Sequence, residues 1–242
     1  MTGDIETYLN SLSEYILIIN VEGITYLPDL TRFKNLKELN CSNNQLNSLP
    51  TLPQNLQTLY CYNNQLTSLP TLPQKLETLF CTNNQLTSLP TLPQNLQTLY
   101  CYNNQLTSLE GLPQNLKELN CSNNKIKIMT LPQKLIFLIC YKNQLTSLPA
   151  LPQNIRLFDC NDNPINEILH NNSLSTIKQH IKILNNFRHL YYCLQFKKQL
   201  RKLLWEKVRE PHIEKIFHPN YLIENLGDND LDTVLNTWIQ LF

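Results

Sequence analysis

The chain has 242 residues, of which 42% are hydrophobic, and a formal net charge of +1 at pH 7. This length allows one or two ordinary domains, and this hydrophobic content is enough for a core. Only 4 glycines are present, too few for a P-loop, a dinucleotide-binding fingerprint or a nucleophile elbow, and the 5 histidines form no HExxH pair. We therefore expect a protein that is not an enzyme, with no cofactor and no metal site.

Residues 1–15 are predicted to be an N-terminal capping segment. Ile5, Tyr8, Leu9 and Leu12 have the spacing of a short amphipathic helix, which would cover the open end of the core that follows. This segment has acidic residues and no basic ones, and the apolar run at 16–19 is too short for a signal core or a membrane span. We expect a cytoplasmic protein.

Residues 16–170 are dominated by one repeated pattern, Leu-x-x-Leu-x-Cys-x-x-Asn-x-Leu. The pattern begins at Leu36 and occurs seven times at a spacing of 20 residues, with a single step of 19 before Leu135. A degenerate copy precedes it, in which Leu17, Ile19 and Ile24 fit the apolar positions. A fixed period of this length predicts a solenoid, here of about eight turns, in which each turn buries its apolar face against its neighbours.

Each turn is expected to contain a short strand. Alternation along the copy at 56–66 places Leu59 and Cys61 in the core and Tyr60 and Tyr62 on the opposite face. The strands should pair in parallel, and Asn64 should satisfy backbone groups that leave the sheet at the bend.

Seven of the 8 cysteines occupy one position of the repeat, and only Cys193 lies elsewhere. A spacing of 20 residues is not a metal-binding signature, and stacked parallel strands would point these thiols the same way, which is poor disulfide geometry. We interpret them as small buried hydrophobic residues, with metal or redox chemistry as the less favoured alternative. So many free thiols favour a reducing compartment.

The connectors of sequence Leu-Pro-x-Leu-Pro, as at 69–73, have prolines three residues apart. This spacing matches the period of polyproline II, so the convex side should be extended and polyproline-like. Because proline has no N–H, these connectors should also resist pairing as a sheet.

The repeat resembles the short leucine-rich repeat, with Cys in a slot that Leu usually fills, over roughly two thirds of the chain. This resemblance implies an α/β solenoid with a parallel concave sheet. The Leu-Pro-x-Leu-Pro connector is similar to the repeats of secreted effectors from enteric bacteria. The bias toward Asn, Ile and Lys, and the segment LRKLLWEKVREPHIEKIFHPNY at 200–221, resemble proteins of giant amoeba viruses of the mimivirus kind, the comparison that we favour.

The concave face is the predicted binding site. Two neighbouring columns of outward strand positions place six aromatic residues there: Tyr60, Tyr62, Phe80, Tyr100, Tyr102 and Tyr141. Aromatic side chains in that number on an exposed face are typical of an interaction site, and Tyr supplies rigid contact area at low entropic cost. The structural alternative is that the rings only stack along the sheet and stabilise it.

Residues 171–242 are predicted to form a helical C-terminal domain that caps the last turn. Helically spaced apolar residues run from Leu174 to Leu204, and Pro211 should end this helix. Its second half is basic and defines a secondary basic site: Lys197, Lys198, Arg201, Lys202, Lys207 and Arg209. A basic amphipathic helix can bind nucleic acid or an anionic membrane, although ordinary packing on the solenoid also requires amphipathicity.

The sequence thus predicts a non-catalytic scaffold whose aromatic concave face binds another protein, a host protein in the host cytoplasm if the viral resemblance holds. One alternative is an adaptor that binds nucleic acid or a membrane through residues 197–209. Another is a substrate-receptor subunit of a larger assembly such as a ubiquitin ligase. Bacterial effectors with similar repeats sometimes carry a ligase domain with a catalytic Cys-x-Asp motif, but Cys193-Leu194-Gln195 lacks the Asp. We expect no small-molecule substrate.

Overall fold

The computed structural model describes residues 15–19, 23–165 and 173–186, together with 195 and 197. Within these residues the main sheet contains eight parallel strands, and a second sheet contains two. The strands are β1 (Ile16–Ile18), β2 (Glu38–Asn40), β3 (Thr58–Tyr60), β4 (Thr78–Phe80), β5 (Thr98–Tyr100), β6 (Ser108–Leu109), β7 (Glu118–Asn120), β8 (Ile128–Met129), β9 (Phe137–Ile139) and β10 (Leu157–Asp159). The main sheet has the order β1-β2-β3-β4-β5-β7-β9-β10, so each turn of the chain adds one strand. The parallel-sheet solenoid predicted from the period is confirmed.

The register follows the repeat. Leu39 pairs with Leu59, and Leu59 pairs with Leu79, so equivalent residues lie beside one another in successive turns. The same register continues across the 19-residue step, where Leu119 pairs with Leu138. Since the shorter turn keeps its strand in line, the missing residue is absorbed outside the sheet.

The core consists of the leucine and cysteine columns. Leu59 and Cys61 are fully buried, as alternation predicted, and the seven repeat cysteines are free thiols. Burial raises the pKa of Cys41 and of Cys81 to about 12. The cysteines are therefore protonated and act as small apolar residues in the packing.

A column of buried asparagines closes the bend of each turn. Asn64 donates from Nδ2 to the carbonyl oxygens of Cys41 (3.0 Å), Cys61 (3.2 Å) and Tyr62 (3.2 Å). Its Oδ1 accepts from the backbone N–H of Leu46 at 3.0 Å. This amide satisfies backbone groups of two turns at once, which confirms the role predicted for the column and extends it between turns.

The preceding residue forms a second column that the sequence reasoning missed. Asn43, Asn63, Asn83, Asn103 and Asn123 have φ between 51° and 56°, in the left-handed region. Their side chains, exposed apart from the half-buried Asn83, join in a chain. In it Asn83 Nδ2 donates to Asn63 Oδ1 and Asn103 Nδ2 donates to Asn83 Oδ1, each at 2.6 Å. Asn tolerates positive φ better than most residues, so the Asn-Asn pair was the available signal.

The convex side shows what the connector prolines do. Over the described residues, its one sheet is the β6–β8 pair, where Glu110 and Thr130 stand in the slot that Pro70 fills in an ordinary turn. The N–H of Thr130 donates to the carbonyl of Leu109 at 3.1 Å, a bond that proline could not make. Proline therefore limits sheet pairing on this side, as expected, and the short sheet marks the turns that lack it.

One helix, α1 (174–186), follows the last turn within the described part of the chain. Ile181 is 1% exposed, and Leu174 and Ile177 pack against the solenoid core. Lys178 Nζ donates to the carbonyl of Gln153 at 2.9 Å, and Asn185 Nδ2 donates to that of Leu148 at 3.0 Å. The helix covers the apolar end of the solenoid, as a terminal cap must. The predicted N-terminal helix at 1–15 lies almost wholly outside the described residues, as does most of the segment after α1.

Candidate protein-interaction face

The six predicted aromatic residues all lie on the outward side of the main sheet. We call them the aromatic face: Tyr60, Tyr62, Phe80, Tyr100, Tyr102 and Tyr141. Each is half-buried rather than fully exposed. Leu59 and Cys61, one position away from Tyr60, point inward and are fully buried. The pleat of the strand therefore directs the rings away from the core, and their partial burial comes from contacts along the face.

The first column of the aromatic face is a continuous stack. The ring centroids of Tyr60 and Phe80 are 5.2 Å apart at an interplanar angle of 28°, and those of Phe80 and Tyr100 are 4.7 Å apart at 57°. Such pairs contribute about 0.5–1.5 kcal/mol beyond the area that they bury. The stacking interpretation is thus correct for these three rings, although stacking does not cover their outer surfaces.

The stack ends in a hydrogen bond at β7. Tyr100 donates its phenol O–H to Glu118 Oε2 at 3.2 Å. Burial, and the charge and hydrogen bond of Glu118, raise the pKa of Tyr100 above its usual value. The ring is consequently held in the neutral form as a fixed donor at the edge of the stack.

The second column alternates between large and small residues. Tyr62, Tyr102 and Tyr141 occur on every second strand, with Thr82 and Ser122 between them. Thr82 is 3% exposed and Ser122 is 1% exposed, although both point outward. Their large neighbours in this column are the tyrosines of the adjoining turns, so we attribute the burial to those rings.

The fold does not require aromatic residues at these positions. β2 and β7 end in Asn at the slot of Tyr60, and Ser stands two residues later at the slot of Tyr62. Ser42 Oγ donates to Asn40 Oδ1 at 2.5 Å, and Ser122 Oγ donates to Asn120 Oδ1 at 2.8 Å. The strands pair in the same register with either set of residues. The sheet therefore does not need the aromatic residues of β3, β4 and β5 in order to form, and these residues change the character of its outer surface.

Two apolar residues that the sequence reasoning missed extend this surface toward the C-terminal turns. Phe137 and Leu157 are register partners in β9 and β10, at 37% and 43% exposed. They occupy the first outward position of each strand, where β3, β4 and β5 have Thr. The change of residue type along that column was the signal that could have identified them.

The residues that precede the strands of successive turns form a polar rim beside the aromatic face. Lys117 Nζ donates to Gln97 Oε1 at 2.8 Å, and Gln97 Nε2 donates to Glu77 Oε2 at 3.4 Å. All three residues lie one position before the strand, so the charged groups flank the aromatic columns and do not interrupt them.

The secondary basic site cannot be built from the described residues. Lys197 is exposed, whereas Lys198, Arg201, Lys202, Lys207 and Arg209 lie outside the described part of the chain. The basic site therefore stays a prediction.

Other kinds of site have little support in the described residues. They contain no group of three or more His, Cys, Asp or Glu placed to hold a metal ion, and none of their helices has the length and hydropathy to cross a membrane. A cleft of about 310 Å³ opens on the convex side between residues 88–92 and 108–111. Its position, where Glu110 and Gly111 replace the usual Pro and Thr, makes it a consequence of that irregular connector.

Comparisons with known proteins agree with the repeat architecture. Models described as leucine-rich repeats match residues 35–56, 54–94 and 94–132. The leucine-rich repeat domain of a Shigella effector is 31% identical with a TM-score of 0.57, over 67% of this chain and 75% of that one. The chain therefore belongs to the leucine-rich repeat proteins, which are in general non-catalytic scaffolds for protein interaction.

Two further solved structures are similar. YopM from Yersinia enterocolitica WA-314 is 37% identical with a TM-score of 0.59 over 63% of this chain. The functional domain of InlJ from Listeria monocytogenes, which includes a cysteine ladder, is 32% identical with a TM-score of 0.56 over 61% of this chain. The chain spans about a third of each, since the match covers 34% of either structure. A search of curated proteins gives no match. The similarity to bacterial effectors is thus confirmed, whereas the giant-virus resemblance stays a prediction.

Proposed function

We propose that this protein is a non-catalytic scaffold that binds a partner protein through the aromatic face. The observation that carries the proposal is a stack of three half-buried rings, Tyr60, Phe80 and Tyr100, on a sheet whose register is the same where the rings are absent. Apolar surface of this kind on a soluble chain is typical of an interaction site.

The energetics favour a protein partner. Tyr and Phe lose few rotamers on binding, and the stacked rings of Tyr60, Phe80 and Tyr100 are already held by one another. A partner that covers them gains the desolvation of aromatic surface, about 25 cal/mol for each Å² of apolar area, with little ordering cost. Aromatic residues in such preorganised positions commonly dominate the affinity of protein interfaces.

A reducing, cytoplasmic location remains part of the proposal. The seven free, buried cysteines support it, because thiols stay reduced most readily in that compartment. A host partner would follow only if the viral origin is correct.

The test uses residues that the chain itself places in these slots. In the variant Tyr60→Asn, Tyr62→Ser, Tyr100→Asn, Tyr102→Ser, β3 and β5 acquire the Asn and Ser pairs of β2 and β7. Because those pairs already occur in the same sheet, the variant should fold, and circular dichroism melting will check that it does. The control is Tyr26→Ser, since Tyr26 is exposed but lies on the connector of the first turn.

Both variants and the native protein are immobilised and compared by quantitative affinity purification from cell lysates. We expect specific partners of the native protein to be retained by Tyr26→Ser and lost from the four-site variant. Identical profiles for the folded four-site variant and the native protein would refute binding through the aromatic face.

A further inference from the structure

We infer that the partner segment bound by the aromatic face is a proline-rich peptide in the polyproline II conformation. This inference rests on the proposed function and names the chemistry of its partner. Its starting point is the alternation in the second column, where the tyrosines occur on every second strand and not on every strand.

Alternation fixes the spacing that a ligand must match. Parallel strands lie about 4.8 Å apart, so Tyr62 and Tyr102 are separated by about 9.6 Å along the solenoid, as are Tyr102 and Tyr141. The neighbouring stack is consistent with this value. The ring centroids of Tyr60 and Phe80 are 5.2 Å apart and those of Phe80 and Tyr100 are 4.7 Å apart, so the rings of Tyr60 and Tyr100 can be at most about 10 Å apart.

This spacing distinguishes between regular peptide conformations. A polyproline II helix places every third residue on one side, about 9.3 Å apart. An α-helix returns to one face after seven residues, about 10.5 Å, and a β-strand returns after two, about 6.7 Å. Two intervals separate Tyr62 from Tyr141. Over this distance the repeat of a polyproline II helix differs from the spacing of the tyrosines by about 0.6 Å, and the repeat of an α-helix differs by about 1.8 Å. The period of the tyrosines therefore fits polyproline II best.

The sequence itself also repeats at an interval of two turns. Residues 51–69 and 91–109 are identical, so Tyr60 and Tyr62 in one turn have the same neighbours as Tyr100 and Tyr102 two turns later. A repetitive ligand therefore meets equivalent groups at Tyr62 and, one advance of three residues later, at Tyr102.

Charge and hydrogen bonding are also complementary. Glu118 in β7 is a charged outward residue, and its carboxylate accepts from Tyr100, whereas all outward positions of β3, β4 and β5, and Tyr62, Thr82 and Tyr102 in the second column, are uncharged. A charged segment would lose hydration there without gaining a partner, whereas a proline-rich segment has no charge and few N–H groups to leave unpaired. Its carbonyls make no internal hydrogen bonds, and the phenol groups of Tyr62 and Tyr102 are donors of the required kind, whereas Tyr100 already donates to Glu118. Proline-rich peptides bind aromatic-lined grooves in other folds by the same physics.

The experiment measures fluorescence anisotropy of fluorescein-labelled decaproline, with a labelled decapeptide of alternating Gly and Ser as the control probe. We expect the native protein to bind decaproline and not the control. The decisive variant is Thr82→Tyr, which adds a ring between Tyr62 and Tyr102, as Phe80 stands between Tyr60 and Tyr100. It adds aromatic area but removes the two-turn spacing, so decaproline affinity should fall about tenfold. Ser122→Tyr makes the same change between Tyr102 and Tyr141 and is used if Thr82→Tyr melts early.

Two results would overturn the inference: no binding of decaproline to the native protein, or equal binding to a folded Thr82→Tyr or Ser122→Tyr variant. Display of random 12-residue peptides separates the inference from the proposed function. Selected peptides with proline at every third position support the inference. If the selected peptides lack that spacing but require the tyrosines replaced in the four-site variant, the interaction face stands and polyproline recognition fails. If their binding survives in the four-site variant, both fail.

Discussion

The buried asparagine column gives the sharpest prediction about stability, and Asn104 is its best-defined member. Asn104 is 9% exposed and donates from Nδ2 to the carbonyl oxygens of Cys81 (3.0 Å), Cys101 (3.1 Å) and Tyr102 (3.3 Å). Its Oδ1 accepts from the N–H of Leu86 at 2.9 Å. The substitution Asn104→Ala removes all four contacts and leaves Leu86 N–H without its acceptor, whereas the carbonyls of Cys81 and Cys101 still accept from Asn84 and Asn124.

The magnitude follows from the groups that lose their partners. A buried donor or acceptor left unsatisfied costs about 1–3 kcal/mol, and Leu86 N–H depends on this amide across the turn. With a smaller contribution from the three carbonyls, each of which loses one of its donors, we expect Asn104→Ala to lower the free energy of unfolding by about 2–4 kcal/mol.

Urea unfolding followed by circular dichroism measures this loss, and the adjacent asparagine supplies the control. Asn103 is exposed at φ 53° and donates to Asn83. Because glycine adopts positive φ without strain, Asn103→Gly should cost less than about 1 kcal/mol. A loss for Asn104→Ala no larger than that for Asn103→Gly would refute the role of the buried amides.

Three further predictions concern the core and the convex side. Cys81→Asp buries an unpaired carboxylate among apolar neighbours and should lower the melting temperature sharply or prevent folding; unchanged thermal melting would contradict the core position of the cysteines. The pKa of Cys81, about 12 in the folded chain against about 9 unfolded, means that the unfolded thiol ionises first, so stability present below pH 9 is lost as pH rises toward 12. At pH 10 this amounts to about 1 kcal/mol for the thiol, so the destabilisation caused by Cys81→Ala should be smaller at pH 10 than at pH 7.5 by about that amount. Urea titrations under reducing conditions measure the difference, and an equal value at both pH values would contradict the shift. Thr130→Pro removes the hydrogen bond to Leu109 and should cost about 1 kcal/mol, measured by urea unfolding, while no cost would mean that the β6–β8 pair adds nothing to stability.

Most of the architecture could be predicted from the period of the repeat. Leu59, Cys61 and Asn64 each lie where their repeat positions required, because a solenoid builds every turn from the same local pattern and its neighbours. The face of the six aromatic residues followed from the same alternation. The chain of exposed asparagines and the β6–β8 pair were missed, since one depends on backbone dihedrals and the other on what a missing proline permits.

The sequence by itself determined the fold, the register and the identity of the outward residues, because in a solenoid these depend on contacts between segments one period apart. The tertiary structure decided how the outward side chains pack against one another. Thr82 and Ser122 look like exposed polar residues in the sequence but are almost fully buried, while Tyr60, Phe80 and Tyr100 stack closely enough to hold one another. The physical reason is that side-chain burial on a concave sheet depends on the side chains of adjoining turns, a property of the assembled surface and not of any single repeat.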